Sequence, residues 1–367
     1  MAGSILGTLF KISTWGESHG QGIGVVVDGC PSGLSLSEED IQKYLNRRKP
    51  GQSKYSTPRK EDDSVTILSG VFEGRTTGTP ISMIVYNQTQ RSADYSEIAS
   101  YYRPGHADYT FDSKYGFRDY RGGGRSSGRE TIARVAAGAI AQAILSNLGI
   151  QVQAYTRSIG PISINEQTSD LANIMKSPLY MPDLEASDRA EDFLLEKMKE
   201  QNSVGGIIEC IVDGMPAGIG EPVFDKLDAN LAKAILSIGA VKGVEFGDGF
   251  ECASILGSEN NDSFCFKDGH VEKETNHAGG ILGGMSDGST IRLRAAIKPT
   301  PSISQTQHTI NQSCENIDIQ IKGRHDPIIV PRAVVVVESM VALTLVDLLF
   351  INMSSRMDRI TAFYTKD

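Results

Sequence analysis

The chain has 367 residues, beyond the ~250–300 at which a single hydrophobic core usually stops growing, which predicts two domains or one elaborated domain with two similar halves. A hydrophobic content of 40% is typical of a globular protein, and the net charge of −9 argues against non-specific nucleic-acid binding as the main task. The five cysteines are scattered and lack metal-ligand spacing, and no signal-peptide pattern begins at Met1, so a reduced cytoplasmic protein is expected.

The first sixty residues predict two strands, a helix and a basic loop. Residues 9–14 and 23–27 are typical of strands, separated by the turn GESHG at 16–20. A serine cap and acidic first turn predict a helix over residues 38–47. Residues 47–63 then carry six Lys and Arg without an apolar period, which indicates a basic loop.

The next segment contains the clearest helix of the chain. Residues 65–72 and 81–87 predict strands, and residues 100–125 are aromatic, Gly-rich and Arg-rich without a helical or strand period. Ordered loops of that length and chemistry are usually functional. Apolar residues at i, i+3 and i+4 spacing over residues 132–144 then predict an amphipathic helix that Gly149 ends.

The remaining chain mixes strands and helices without regular alternation. The predicted elements are strands at 151–159, 206–212 and 290–297, and helices near 170–176, 188–201 and 225–237. A tight turn is expected at 247–249 and a Gly-rich loop at 276–288. No repeat of 20–50 residues is visible. This order favours an α+β fold with largely antiparallel sheets over a Rossmann fold.

Residues 333–351 are almost wholly apolar and about as long as a bilayer span. The segment carries Glu338 and Asp347, however, which are costly at bilayer depth, and it follows Pro331, a natural first-turn residue. We therefore expect a helix buried in the core or in an oligomer interface, and no membrane span.

The stretch RGGGRSSGRE at 121–130 precedes the clearest helix. Glycines allow close approach of a ligand to the backbone, and free N–H groups at a helix start favour an anion. Ser126 and Ser127 can donate to a phosphate that Arg125 and Arg129 clamp. The alternative is a mobile loop with a serine helix cap. The stretch is neither a P-loop nor a dinucleotide fingerprint.

Four of the six histidines lie in Gly- or Pro-bearing loops beside charged residues, namely His19, His106, His277 and His325. The other two, His270 and His308, lie in polar stretches typical of the surface. None has the paired spacing of a zinc site, so no metal is expected. General acid–base chemistry near neutral pH suits the four loop histidines better.

Several basic residues also lie in loops rather than on helix faces, namely Arg48, Lys54, Arg103, Arg125, Arg129 and Arg324. If half of them converge, the pocket would bind a ligand with several negative charges. A small phosphorylated polycarboxylate and a phosphate-bearing cofactor both fit. The residues alone therefore indicate a polyanion-binding enzyme with histidine acid–base groups.

Six long motifs in the same order resemble the chorismate synthase family over nearly the whole chain. They are GESHG at 16–20, RPGHADYT at 103–110, YRGGGRSSGRETIARVAAGA at 120–139, MPAGIGEPVFDKLDA at 215–229, NHAGGILGG at 276–284 and KGRHDP at 322–327. The resemblance implies one domain over residues 1–367, folded as a β-α-β sandwich with helices between antiparallel sheets, and a homotetramer. It further implies a lyase that converts 5-enolpyruvylshikimate 3-phosphate to chorismate by 1,4-trans elimination of phosphate, using reduced FMN without net redox change.

The resemblance also assigns binding residues by motif position. Residues facing the substrate or NADP would be Arg48, Lys54, Arg103 and Arg129, with Arg324 near both substrate and flavin. Residues lining FMN would be Arg125, Ser126, Ser127, Gly239, Ala240, Gly283, Lys298, Pro299, Thr300, Pro301, Ser302 and Arg324.

The implied chemistry needs an acid and a proton relay. A protonated His19 would stabilise the leaving phosphate, and His106 would manage the proton near N1 of the flavin. Asp326, with Ser18, would relay away the proton taken from C6 of the substrate. Whether NADPH reduces the flavin on this chain stays open. Because no dinucleotide fingerprint or additional domain is visible, we expect an external reductant.

Two other classes of function compete. The first is an FMN-dependent oxidoreductase with net hydride transfer. The second is an RNA- or nucleotide-binding module that uses the basic residues of 48–60 and 118–129 and stacks bases on nearby tyrosines. The acidic net charge and the loop histidines argue against the second class, so neither nucleic-acid nor membrane partners are expected.

Overall fold

Two antiparallel sheets enclose a layer of helices. The architecture comes from a computed structural model that describes residues 3–51, 55, 61–88, 97–321 and 326–365. The first sheet has the strand order β1-β2-β3-β7-β4 and the second has the order β11-β16-β10-β8-β9. One hydrophobic cluster runs through both sheets and the helices between them. The predicted α+β sandwich is confirmed.

The strands of the first sheet are β1 (Ile5–Leu6), β2 (Lys11–Gly16), β3 (Gly22–Asp28), β4 (Val65–Ile67) and β7 (Ile81–Tyr86). Between β4 and β7 lies a short hairpin of β5 (Val71–Phe72) and β6 (Arg75–Thr76). Gly16 pairs with Ile23, and Gly22 pairs with Tyr86. The β2–β3 turn and the residues after β7 therefore lie at the same edge of this sheet.

The strands of the second sheet are β8 (Gln151–Ile159), β9 (Ile162–Ser163), β10 (Gly206–Asp213), β11 (Val241–Phe246) and β16 (Ile291–Ile297). Three hairpins project from it, made of β12 (Phe264–Lys267) with β13 (His270–Lys273), β14 (Ile281–Leu282) with β15 (Met285–Ser286), and β17 (Thr306–Ile310) with β18 (Asn316–Gln320). Gly206 pairs with both Ile159 and Ile297, and Val241 also pairs with Ile297. One edge of this sheet thus brings together the residues before β10 and β11 and those after β8 and β16.

Four helices fill the space between the sheets, namely α1 (Glu38–Arg48), α3 (Thr131–Asn147), α5 (Leu227–Leu236) and α7 (Val330–Asn352). Helices α1 and α3 pack on the first sheet, α5 and α7 pack on the second, and α3 packs along α7. The helix pair is close: a Cβ added to Gly138 of α3 would lie 2.3 Å from the Cβ of Ser339 on α7. The remaining helices are α2 (Asp108–Tyr115), α4 (Leu184–Lys199), α6 (Gly257–Asn260) and α8 (Met357–Tyr364).

The two halves of the fold repeat one another. Each runs strand, strand, helix, strand, strand, helix, as β2-β3-α1-β4-β7-α3 and as β8-β10-α5-β11-β16-α7, with the same strand order in its sheet. The segment after the second strand is VDGCPSG at 27–33 in one half and VDGMPAG at 212–218 in the other. The hairpins that follow align as GVFEGRTTG at 70–78 and GILGGMSDG at 280–288.

Equivalent hydroxyl groups secure this segment in both halves. Thr76 Oγ1 donates to the carbonyl of Pro31 at 2.6 Å and accepts from the backbone N–H of Leu34 at 3.0 Å. Ser286 Oγ donates to the carbonyl of Pro216 at 2.6 Å and accepts from the N–H of Ile219 at 3.0 Å. The repeat therefore extends from strand order to individual hydrogen bonds.

Helix α7 is long and apolar enough to cross a membrane, yet 83% of its most apolar stretch is buried inside the fold. Its two acidic side chains have structural partners. Glu338 accepts two hydrogen bonds from the guanidinium of Arg47, at 2.7 and 2.9 Å, and one from Ala154 N. Asp347 accepts from the backbone N–H groups of residues 8–10. The prediction of a buried core helix is confirmed.

Three local expectations were wrong. The predicted loop 100–125 contains the helix α2. Most of this helix is exposed and ion pairs hold it in place, so its sequence has no apolar stripe that would predict a helix. The predicted helix near 170–176 is a single 3-10 turn at Leu171–Asn173. The strand predicted over 65–72 ends at Ile67, because Gly70, at φ 82°, turns the chain into the hairpin.

Candidate active site

The predicted site residues gather at one end of the sandwich, which we call the site edge. It consists of the β2–β3 turn, the residues after β7 and β16, the carboxyl ends of α1 and α5, and the amino ends of α3 and α7. Contacts join the two halves there: Arg332 Nε of α7 donates to the carbonyl of Arg48 at 3.1 Å. Both long central helices therefore point their positive ends at this edge, which favours an anion.

The turn with Ser18 and His19 is packed tightly against the loop 120–124. Gly122 has φ 100°, and a Cβ there would lie 2.7 Å from His19 Cδ2 and 3.2 Å from Ser18 Oγ. Only glycine fits both the conformation and the contact. Ser18 Oγ is buried and has no hydrogen-bond partner within the described ranges. The turn thus holds a histidine beside a hydroxyl that is available to a ligand.

Arg103 is fixed beside this turn by Asp108. The guanidinium donates from Nε and Nη2 to the two carboxylate oxygens of Asp108, both at 2.8 Å, and Nη2 also reaches the carbonyl of Gly122 at 3.3 Å. Burial acts to raise the pKa of the Asp108 carboxyl, but Arg103 outweighs burial and lowers that pKa. Asp108 therefore stays ionised and holds Arg103 next to the histidine turn.

His106 lies against the segment after β16. Its Nε2 is 2.6 Å from Ser302 Oγ, and Lys298 Nζ donates to the carbonyl of Gly105 at 3.0 Å. A Cβ on Gly105 would lie 2.7 Å from Pro301 Cβ, so the two segments are in close contact. The hydroxyl of Thr300 is buried without a partner among the residues described. The structure thus brings His106 together with residues 298–302.

A buried carboxylate joins two of the predicted substrate arginines. Asp63 accepts from Arg48 Nη2 at 2.9 Å and pairs with Arg129 Nη1 at 3.2 Å. Arg48 is 1% exposed and also donates to the carbonyl of Gly128 at 3.0 Å, and its burial lowers its pKa to about 10. Arg129 pairs with Glu61 as well. Arg48 therefore stabilises this cluster from within, and its buried guanidinium does not offer an exposed binding surface to a ligand.

Arg125 is also bound internally. Its guanidinium donates to the carbonyl of Gly16 at 3.1 Å and to Thr14 Oγ1 at 2.6 Å, so it braces strand β2. Ser127 caps the next turn by accepting from Arg129 N at 3.3 Å, and Ser126 Oγ donates to the carbonyl of Gly123 at 2.7 Å. The loop that was predicted to bind an anion is therefore present. The guanidinium of Arg125, however, donates its hydrogen bonds to other groups of the protein.

The residues between α5 and β11 approach the same loop. A Cβ on Gly239 would meet only the carbonyl oxygen of Ser126, at 3.9 Å. Ala240, with φ 73°, accepts from the backbone N–H of Lys298 at 2.9 Å. Gly239, Ala240 and the 298–302 segment are therefore adjacent, as predicted.

Five other predicted residues have different outcomes. Asp326 pairs with Arg332 at 2.6 Å, on the side of the site edge that α7 forms. Gly283 lies in the β14–β15 turn near the amino end of α5, since Leu227 N donates to the carbonyl of Gly284 at 2.7 Å. The ten residues of α5, about 15 Å of helix, separate it from Gly239, so the fold does not bring Gly283 to the site edge. Lys54 and Arg324 lie outside the described residues, as does His325.

Sequence reasoning missed four residues that organise this edge, namely Asp63, Asn87, Asp108 and Arg332. Asp108 was within reach, because it belongs to the RPGHAD segment, where its carboxylate lies five residues from Arg103. Arg332 lies six residues from its partner Asp326, whereas the partners of Asp63 and Asn87 are more distant in sequence and leave no local signal. Within the described ranges, no group of three or more His, Cys, Asp and Glu side chains is arranged to hold a metal ion.

Comparisons with known proteins agree in one family. The profile of a family described as "Chorismate synthase" matches residues 10–350. The chain is 71% identical to a chorismate synthase of Lachnoclostridium phytofermentans and 68% identical to one of Agathobacter rectalis, each over 100% of both chains. It is 54% identical to one of Methanosarcina barkeri over 95% of this chain and 96% of the other. A solved structure titled "Crystal Structure of Chorismate Synthase" superimposes with a TM-score of 0.77 at 30% identity, covering 97% of this chain and 96% of that one.

Proposed function

Because the chain belongs to the chorismate synthase family, we propose that its site edge carries out the family's reaction with the residues described above. Enzymes of this family are carbon–oxygen lyases. They convert 5-enolpyruvylshikimate 3-phosphate to chorismate and phosphate by a 1,4-trans elimination with reduced FMN. The observation that carries the proposal is the convergence of the Ser18–His19 turn, the Arg103–Asp108 pair and the His106–Ser302 pair at one edge.

The substrate carries two carboxylates and a phosphate, so binding requires several fixed cations. Arg103 and Arg129 supply two of them, each held by a buried carboxylate. Arg129 Nη2 is buried and makes no hydrogen bond to another described residue, which leaves it as a donor for an anionic group. Lys54 and Arg324 complete the proposed set. Fixed cations at a site shielded from water bind anions more strongly than exposed ones.

His19 acts on the leaving group in this proposal. Its imidazolium neutralises the charge that grows on the phosphate oxygen as the bond from C3 breaks, and donates a proton to it. Close packing against Gly122 fixes the ring, so little reorganisation is needed during the reaction. The Ser18 hydroxyl beside it binds the same end of the substrate. Asp326, held by Arg332, acts with Ser18 to relay away the proton taken from C6 of the substrate.

The residues of the site edge also fit FMN. The partnerless hydroxyl of Thr300 offers a donor, and the open space above Gly239 and Gly124 leaves backbone accessible. Ser126, Ser127, Ala240 and residues 298–302 would hold the cofactor, with His106 fixed by Ser302 to retain a proton beside it. Reduced FMN supplies electron density to the breaking carbon–oxygen bond. Arg125 and Gly283 belong to the proposed set by motif position alone, because Arg125 donates to Gly16 and Thr14 and Gly283 lies near the amino end of α5.

The proposal includes a homotetramer in the cytoplasm, with the flavin reduced by an external reductant rather than by NADPH on this chain. Large apolar side chains exposed on the described surface support a partner subunit, among them Phe224 at 92% and Phe250 at 80%. Sedimentation at several protein concentrations tests the assembly.

An anaerobic reaction tests the function. The protein is mixed with 5-enolpyruvylshikimate 3-phosphate and chemically reduced FMN, and chorismate and phosphate are followed. We expect catalytic product without net flavin oxidation. No product from a folded protein that binds FMN would contradict the proposal, and oxidation of the reduced FMN in step with product would favour an oxidoreductase. Repeating the reaction with oxidised FMN and NADPH tests the external reductant.

A further inference from the structure

Asn87 links the turn that carries Ser18 and His19 to the arginine cluster. Its Nδ2 donates to the backbone carbonyls of Glu17 at 3.0 Å and of Gly20 at 2.9 Å, on either side of the two site residues. Its Oδ1 accepts from Arg129 Nε at 2.9 Å. Both N–H groups and the carbonyl oxygen of this side chain therefore make hydrogen bonds, and each bond joins Asn87 to a part of the site edge.

The position of Asn87 in the fold explains how one side chain reaches both groups. It directly follows β7, and its backbone N–H donates to the carbonyl of Gln21 at 3.0 Å, which extends the pairing with β3 by one residue. The strand register thus places its amide beneath the turn. Gly20 N donates to the carbonyl of Glu17 at 3.1 Å, so the two carbonyls that Asn87 binds close the same turn.

The opposite side of the link is rigid as well. Arg129 is paired with Asp63 and Glu61, and Asp63 also holds Arg48 at the end of α1. A shift of the Arg129 guanidinium would therefore be transmitted to the histidine turn through a single amide. Lateral errors of about 1 Å in the placement of a catalytic group cost on the order of a hundredfold in rate.

We propose that Asn87 is a positioning residue. It sets the location of Ser18 and His19 relative to Arg129, so that the proton donor His19 is correctly placed relative to the anionic group that Arg129 binds. Its two bond types have separable functions. The donated bonds fix the turn, and the accepted bond fixes Arg129. This inference rests on the proposed function, and part of its test is independent of activity.

Two variants separate these bonds. Asn87→Asp keeps an acceptor for Arg129 but loses both donors to the turn. We expect kcat to fall at least about tenfold with KM within about twofold of the wild-type value. Asn87→Ala loses the acceptor too, so KM should rise at least about fivefold in addition, because Arg129 loses an orienting partner. Asn147→Asp is the matched control, because Asn147 Nδ2 donates only to the carbonyl of Ala143 at the far end of α3.

Hydrogen exchange of the unliganded protein provides the second readout. We expect the backbone amides of residues 17–20 to exchange about tenfold faster in Asn87→Asp than in the wild type and in Asn147→Asp. Wild-type exchange at these residues would overturn the inference whatever the activity. Wild-type kcat in Asn87→Asp would overturn it as well. A wild-type protein that yields no product contradicts the proposed function alone, because the exchange experiment still decides the role of Asn87.

Discussion

The two halves of this fold have the same scaffold but contribute different groups to the site. In the first half, the loops at the site edge supply His19, Arg103 and Arg129, each fixed by hydrogen bonds or packing. In the second half, the loops at the site edge supply mostly backbone and short side chains at 239–240 and 299–302, together with the charged groups of Lys298 and Asp326. The comparison teaches that the repeat specifies the sandwich, whereas the chemistry depends on loop residues that the halves do not share.

The largest expected effect contrasts two histidines. His19 lies at the site edge, whereas His277 lies near the opposite end of β11, where its Nδ1 is 2.7 Å from Asp248 Oδ2. His19→Ala should lower turnover by about 10²–10⁴-fold, because the leaving phosphate loses its acid, whereas His277→Ala should leave turnover near the wild-type value. Steady-state assays with reduced FMN measure both. Equal turnover in the two variants would remove His19 from the mechanism.

The contact between the halves can be broken at Gly138. An added methyl group would collide with Ser339 on α7, so Gly138→Ala should lower the free energy of unfolding by about 3 kcal/mol. Denaturant titration measures this change. The double variant Gly138→Ala with Ser339→Gly removes the collision and should recover most of the loss, less about 1 kcal/mol for glycine within a helix. No recovery would show that the loss arises elsewhere.

The repeated hydroxyl groups test whether the halves are energetically equivalent. Thr76→Val and Ser286→Ala each leave a backbone N–H and a carbonyl without their partner, and each should lower the free energy of unfolding by about 1–2 kcal/mol. Turnover should stay unchanged, because both hydroxyls lie at the end of the sandwich away from the site edge. Values that differ by more than about 1 kcal/mol would mean that the shared bonds support the halves unequally.

The smallest expected effect is a pH dependence in the second half. Burial acts to raise the pKa of the Asp262 carboxyl, but hydrogen bonds from Ala278 N, Thr275 and Lys273 outweigh burial and lower that pKa. A carboxyl whose pKa is lowered by folding stabilises the folded protein at pH values above its pKa in the unfolded chain, about 3.9. This stabilisation is lost as the pH falls further. Asp262→Asn should therefore be less stable than the wild type by about 1 kcal/mol at pH 7.

Unfolding titrations at pH 7, 5 and 3 check this prediction, and the difference between the two proteins should shrink from pH 5 to pH 3. Asp108 in the first half also has a lowered pKa, so Asp108→Asn should show the same trend. A difference that stays constant with pH would mean that the carboxylate charge is not the source of the stability.

Much of the fold was predictable because the elements concerned are strongly patterned. The strand over 151–159 and the core helices α3 and α7 follow directly from their apolar sequences. Helix α2 was not predictable, because ion pairs rather than an apolar face hold it. Two similar halves were expected, but their boundaries were not identified because only the VDG-x-P-x-G segment and its hairpin keep a visible likeness, far apart in the chain.

The candidate site was predictable only in part, for a related reason. Residue type and loop position identify His19, His106 and Arg103 as candidates. The orientation of a guanidinium depends on its partners, however, and those of Arg48 and Arg125 are a carboxylate and carbonyls in other segments. Asp63 and Asn87 have ordinary surroundings in sequence and acquire their roles only when β7, α1 and the start of α3 meet.

The bond between Asp347 and the backbone of residues 8–10 has a consequence for biosynthesis. The carboxylate accepts from Thr8, Leu9 and Phe10 at 2.7–2.9 Å, across more than three hundred residues of chain. The first sheet and α3 leave the ribosome long before α7 is made, so the side of α3 that packs against α7 stays uncovered during most of translation. Contacts of such sequence separation also slow folding. The nascent chain therefore depends on α7 to close the core, so the sandwich becomes stable only after that helix has left the ribosome.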